Sequence, residues 1–382
     1  MTNATKLIEL NGHYDIVGSF LRTQPVRNAT EQYNKGELSW KDLNEVRFKE
    51  IEKLVKKQKE VGLKIGTSGE FDRHFWHLDF IWYLGGVSHI YTPEAGFIFK
   101  GTKTPGETAR LTSKLYDKEH PFIEIFKALK LVADKEGVIA KQTIPAPVRA
   151  YTLLTDHINE YSVAHFYKSH EEFADDLVLA YKKVINDLYD AGCRYLQLDD
   201  TTWCNCIHGH LNDHEFEHRH FSEKDGDLNA RLKLYRELNN KVLEGLPSDL
   251  IIATHTCRGN FQSSYTAEGP YDLVIDELVK ENFDAFFLEY ESDRAGTFDA
   301  LKHFPKDKVL VAGIFSSKFA DLEDKGVILK KVEEILKYVD KEHLALSTQC
   351  GWASCEEGNL VSEDQQWKKQ EYIKSIVDEI FN

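Results

Sequence analysis

No stretch of this chain approaches the roughly 20 consecutive apolar residues that a membrane-spanning helix needs. Its opening residues, MTNATKLIEL, also lack the apolar core of a secretory signal. Both absences lead us to expect a cytoplasmic protein. Positive charge is scarce too, with 48 Lys and Arg against 63 Asp and Glu and a formal net charge of −15. Such a field repels phosphate backbones and anionic lipid, and the Lys56–Lys57 run sits among glutamates, so neither a nucleic-acid nor a membrane partner is expected. Cysteine is limited to Cys193, Cys204, Cys206, Cys257, Cys350 and Cys355, irregularly spaced. In a reducing compartment thiols serve metal binding or catalysis rather than disulfides. Methionine occurs only at position 1, which suits a protein made when that amino acid is short and which drift leaves almost as readily.

What is present is a chain of 382 residues, 42% hydrophobic, long enough to bury a large core in one or two domains. Short β-branched or apolar runs alternate with long amphipathic segments, the pattern of a parallel α/β fold. Candidate strands are His13–Ser19, Leu63–Ser68, Val138–Ile144, Tyr195–Asp199, Leu250–His255, Ala285–Glu289, Val309–Gly313 and His343–Ser347. Between them lie helical patterns at Trp40–Val61, Glu171–Ala191, Leu228–Leu246 and Ile328–Val339, several preceded by a capping Ser or Asp. Eight such units predict one (β/α)8 TIM barrel over residues 1–382, with an insertion at about 71–135 after the second strand. Within it, Phe97–Lys114 has two strand-like halves around Thr104-Pro105-Gly106 and is expected to form a hairpin.

In a barrel of this kind the active site forms at the C-terminal ends of the strands. Ser19, Glu70, Asp199, Asp200, His255, Cys257, Glu289 and Cys350 all fall at or just after expected strand ends. One His, two Cys and one Glu make a ligand set that Zn²⁺ accepts in tetrahedral geometry, so His255, Cys257, Glu289 and Cys350 are the candidate metal ligands. A second cluster competes: Cys204, Cys206, His208 and His210 alternate in WCNCIHGH and could bind metal from an extended loop. Four alternating ligands strain to surround one ion, which leaves that loop an auxiliary or incidental role.

The strand-end motifs resemble those of the C-terminal catalytic barrel of cobalamin-independent methionine synthase. The matching pieces are VGSF at Val17–Phe20, SGEFDR at Ser68–Arg73, AGCRYLQLDD at Ala191–Asp200, HTC at His255–Cys257, LEYESDR at Leu288–Arg294 and QCGW at Gln349–Trp352. The resemblance implies zinc at His255, Cys257, Glu289 and Cys350, contacts to the carboxylate of homocysteine from Gly18 and Ser19, and contacts to its amino group from Glu70 and Asp199. The chain has no room for the duplicated N-terminal barrel of the long members and looks like the short, single-barrel ones. Around Gly313–Lys318, GIFSSK resembles the segment where the long enzymes carry a proton-donating histidine, yet no histidine occurs there. His208, His210 and His13 are the remaining candidates for the general acid.

A thiol of pKa about 8.5 is mostly protonated at neutral pH, and coordination to Zn²⁺ deprotonates it. The expected reaction is therefore methyl transfer to the thiol of homocysteine, giving methionine, from a 5-methyltetrahydrofolate donor. The alternatives are a related zinc barrel alkylating or dealkylating another thiol, a methyl-corrinoid donor, a metal-free decarboxylase, and a zinc-storage or sensing protein. The expected partners are small-molecule substrates, with room for a homo-oligomer.

Overall fold

The residues with the longest apolar runs become one parallel sheet. The computed structural model of the chain describes residues 2–207 and 228–382, and among these it places twelve strands. They are β1 (Ile65–Gly66), β2 (Gly85–Tyr91), β3 (Ile98–Phe99), β4 (Thr102–Lys103), β5 (Glu107–Tyr116), β6 (Ile139–Ala140), β7 (Gln142–Pro145), β8 (Tyr195–Asp199), β9 (Ile251–Thr256), β10 (Ala285–Glu289), β11 (Val309–Phe315) and β12 (Leu344–Thr348). Strands β7 to β12 form a six-stranded parallel sheet in which chain neighbours are spatial neighbours. A strand buried on both faces needs no polar alternation, and β8 to β12 are buried at every position.

The two faces go into different clusters. Tyr195, Ile251, Ala253, Ala285, Phe287, Val309, Val311 and Ala345 pack together with Val17 and Ile65, and helix Asn3–Asn11 adds Ala4, Leu7 and Ile8 to them. The alternate residues, such as Leu196, Ile252, Phe286, Leu310 and Leu346, join the larger core beneath the helices. Those helices start where the capping residues say: Ser39, Ser169 and Asp324 each accept a backbone N–H three residues on, from Asp42, Glu172 and Val327.

The first expected strand, His13–Ser19, is not a continuous ladder. Parallel bridges join Tyr14 to Leu346 and Ser19 to Gly69, but the carbonyls between are taken by side chains. Lys141 Nζ donates to the Ile16 carbonyl, Gln197 Nε2 to that of Val17 (2.7 Å) and Thr67 Oγ1 to that of Gly18 (2.6 Å). The second strand shrinks to β1, paired in parallel with β6 through Ile65–Ile139 and Gly66–Ala140.

The hairpin differs from the expectation. Thr104-Pro105-Gly106 is not its turn. Ile98–Phe99 instead pairs with Thr102–Lys103 around Gly101, whose φ of +79° a glycine adopts without strain. Strand β5 pairs antiparallel with β2, upstream of the expected segment, with Ile90 opposite Thr108. The Pro-Gly pair is a strong local signal, but Val87 pairs across to Leu111, and both are buried together with Ala109. Residues 122–135 of the expected insertion lie in helix Phe122–Glu136, the connection leading into β6.

Candidate functional site

Two strand ends bring three donors together. His255 lies in β9, Cys257 directly follows it, and Cys350 lies two residues beyond β12. Their donor atoms fall within 4.8 Å of one another, and all three side chains are buried. The two Sγ atoms are 3.8 Å apart. Two sulfurs bound tetrahedrally at about 2.3 Å from one Zn²⁺ would stand about 3.8 Å apart, so the thiols fit a shared ion and are far beyond disulfide length. The Cys257 thiol and the His255 ring hold Cys350 well below the ordinary thiol range, while the same pairing and burial push Cys257 up. Burial would lower the His255 ring, but Asp199 and Cys350 raise it to about 10.

Glu289, the fourth expected ligand, ends β10, whose ladder pairs Leu288 with Thr256 and so brings Glu289 beside Cys257. It is not part of the donor trio. Its Oε2 accepts the Arg258 backbone N–H at 2.6 Å and its Oε1 takes Arg294. Burial would raise Glu289, but Arg294, Arg258 and Lys318 hold it below the usual carboxylate range.

The trio opens into a cavity of about 1400 Å³, solvent at its mouth included, lined also by Ser19, Glu70 and Asp199. Glu70 sits at φ +60°, a left-handed conformation costly for a residue with a side chain. That turn aims a buried carboxylate whose Oε1 accepts Thr143 Oγ1 (2.8 Å) and meets Arg73 (3.2 Å). Its Oε2 has no hydrogen-bond partner among the described residues. Asp199 Oδ1 accepts from Gln197 Nε2 (2.7 Å) and lies 3.1 Å from His255 Nδ1. Ser19 Oγ accepts the Ala353 N–H (3.2 Å) and lies where a side chain at Gly351 would be, 1.9 Å from the position of such a Cβ. Gly18 is close behind it: a Cβ there would meet Thr143 Cγ2 at 2.7 Å.

His13 is elsewhere. Its Nδ1 contacts the carbonyl of Leu344, at the start of β12, and its ring stacks on Phe381 (4.1 Å). That is the opposite end of the sheet from Cys350, and the ring does not line the cavity. His208 and His210 lie outside the described residues. Cys204 lines the cavity and Cys206 is buried, but neither joins a metal-capable group among the described residues. Sequence reading missed the aromatic wall of Phe75, Trp76, Phe97 and Phe99, together with His77 and Arg149. Apolar residues in an insertion look like ordinary core, and only the cavity gives them a second meaning.

The model of the cobalamin-independent synthase catalytic domain matches residues 135–363. The chain belongs to that family. The YxjH protein of Bacillus subtilis, described as uncharacterized, is 37% identical over 96% of this chain and 94% of its own length. A Listeria monocytogenes protein, solved as a candidate vitamin-B12-independent methionine synthase, superposes with a TM-score of 0.70 and 32% identity, covering 96% of this chain and 97% of that one. The methionine synthase of Saccharolobus solfataricus is 22% identical over 88% of this chain and 86% of its own. A Bacillus cereus 5-methyltetrahydropteroyltriglutamate–homocysteine methyltransferase matches over 88% of this chain but only 39% of its own length. Membership makes the chain a methyltransferase, and no described helix is long and apolar enough to cross a membrane.

Proposed function

We propose that the protein is a zinc-dependent, cytoplasmic methyltransferase that makes methionine by moving a methyl group from a 5-methyltetrahydrofolate to the thiol of homocysteine. One observation carries this: the two thiols and the imidazole converge in the same cavity as a buried glutamate with an unpartnered oxygen. His255, Cys257 and Cys350 would hold the ion, with Glu289 beside Cys257 as the fourth ligand once its oxygen leaves Arg294. When bound, zinc keeps the substrate thiol deprotonated at neutral pH.

The rest is done by the chain. Glu70 Oε2 accepts from the ammonium of homocysteine, which satisfies an otherwise orphaned buried oxygen. Asp199 offers its second oxygen to the same group while Oδ1 fixes the His255 ring. The Gly18–Ser19 turn, pressed close against Thr143 and Gly351, receives the carboxylate. In the transfer a sulfur–carbon bond forms, the donor's nitrogen–carbon bond breaks, and the nitrogen takes up a proton. Held this way, the sulfur is aligned with the methyl carbon before the step begins.

We also read the sheet as closed into an eight-stranded barrel. The bridges at Tyr14 and Ser19 and the β1–β6 pair stand where closure requires them, and Val17 and Ile65 share a cluster with the inner faces of β8 to β12. The deciding experiment is methyl transfer to L-homocysteine with 5-methyltetrahydrofolate and methylcobalamin side by side. Product from the folate alone supports the reading, and product from neither overturns it.

A further inference from the structure

Arg149 is a buried charge with no carboxylate paired to it among the described residues. It lies in helix Pro147–Leu154, directly after β7, and lines the cavity with only 5% of its surface exposed. Among the described residues no carboxylate stands within ion-pair distance of it. Its neighbours are the ring of Phe97, 4.8 Å from the guanidinium, and His77 Nε2 at 3.3 Å. Burial and the charge of Arg149 hold His77 well below the ordinary imidazole range, so the ring is neutral and accepts from the guanidinium. Neither neighbour cancels the charge.

The nearby acids act from farther off and are engaged elsewhere. Asp200 accepts from the Thr202 N–H (2.8 Å) and from Asn239 (3.1 Å), and Asp156 from the N–H groups of Ile158 and Asn159. Three other arginines with little exposed surface are matched. Arg22 donates to the carbonyls of Phe20, Gly69, Ala353 and Arg73, Arg73 meets Glu70, and Arg294 meets Glu289 and Glu291. A buried guanidinium is costly unless paired, and its fork matches a carboxylate or phosphate.

We propose that Arg149 is the anion-recognition subsite of the second substrate, the methyl donor, and that the group it takes is a carboxylate borne next to a flat ring. The flat ring follows from the surroundings. Phe97 lies edge-on to His77 (5.4 Å), and His77 against Trp76 (4.5 Å), which makes an aromatic wall beside the charge. The part of the cavity beside the donor trio carries Glu70 and Asp199 instead and suits the ammonium end of the first substrate. This rests on the two-substrate reading above and adds the chemistry of the donor to it.

The test is calorimetric titration of the purified, zinc-loaded full chain with benzoate and, separately, with inorganic phosphate. Wild-type protein should bind one benzoate saturably, and phosphate, lacking a ring, more weakly. Arg149→Met should weaken benzoate about ten-fold or more, and Arg149→Lys, which keeps charge but not the fork, by less. Zinc content and homocysteine binding should stay unchanged in both variants. Competition in the wild type needs no variant: phosphate should displace benzoate, and saturating benzoate should leave homocysteine binding in place. Equal benzoate affinity in wild type and Arg149→Met, absence of saturable benzoate binding, or tighter phosphate than benzoate would each overturn the proposal. Failure of homocysteine to bind the wild type, with benzoate still bound at Arg149, would overturn the functional reading instead.

Discussion

His255 Nδ1 stands 3.1 Å from Asp199 Oδ1, which joins a candidate metal-donor ring to a residue expected to touch only substrate. Because the same oxygen accepts from Gln197, whose Nε2 also reaches the Val17 carbonyl, one hydrogen-bond chain runs from the first strand to the donor trio. Under the proposed function Asp199 would therefore have two duties and Glu70 one.

That difference predicts a split between two variants. Glu70→Gln should keep zinc at wild-type stoichiometry and raise the homocysteine KM by the equivalent of about 1.5–3 kcal/mol, the worth of a charged hydrogen bond. Asp199→Asn should raise the KM and also weaken zinc about 10–100-fold, because it loosens the His255 ring. Chelator competition on both proteins checks this. Equal zinc affinity in the two would remove the Asp199–His255 coupling.

Within the sheet, Lys141 and Asp15 form an ion pair at 3.2 Å with both side chains fully buried. Asp15 also takes Tyr195 and Asn11, while Lys141 holds the Ile16 carbonyl, so the pair stands in for missing ladder bonds of the first segment. Lys141→Met leaves a buried carboxylate without its cation and should cost about 3–5 kcal/mol in urea unfolding. A cost below about 1 kcal/mol would mean the first segment is held by something else.

His74 ties the insertion to the C-terminal loops, its Nε2 3.2 Å from Glu107 and its Nδ1 3.0 Å from Glu356. Burial would lower this ring, but Glu107 and Glu356 raise it to about 10. A raised imidazole stabilises the fold while protonated. Its contribution is complete below the unfolded value of about 6.5 and is lost as pH rises through about 10. The stability difference between wild type and His74→Gln, followed by thermal unfolding, should shrink from pH 6 to pH 10. A constant or growing difference contradicts the linkage.

The parts of the fold legible in the sequence were those where local and tertiary signals agree. Tyr195–Asp199 and Ala285–Glu289 are short, mostly apolar runs that end in an acid, and both fall where expected to the residue. The first strand was harder, because side chains from Lys141, Gln197 and Thr67, distant in sequence, replace its ladder partners. The donor trio could be picked out because Cys and His at strand ends are rare and chemically capable. Arg149 could not, since a single arginine after Ala-Pro-Val carries no signal until its burial on the cavity wall is seen.

Metal content decides the central claim most directly. Zinc measured on purified Cys257→Ser and Cys350→Ser should fall to a small fraction of wild type, since each change removes a thiolate that no neighbour replaces. A double change of Cys204 and Cys206 to Ser should leave near-stoichiometric zinc, because those thiols lie outside the donor trio. Loss of zinc in the double variant together with retention in Cys257→Ser would contradict the account, for the metal would then stand away from Glu70 and Asp199.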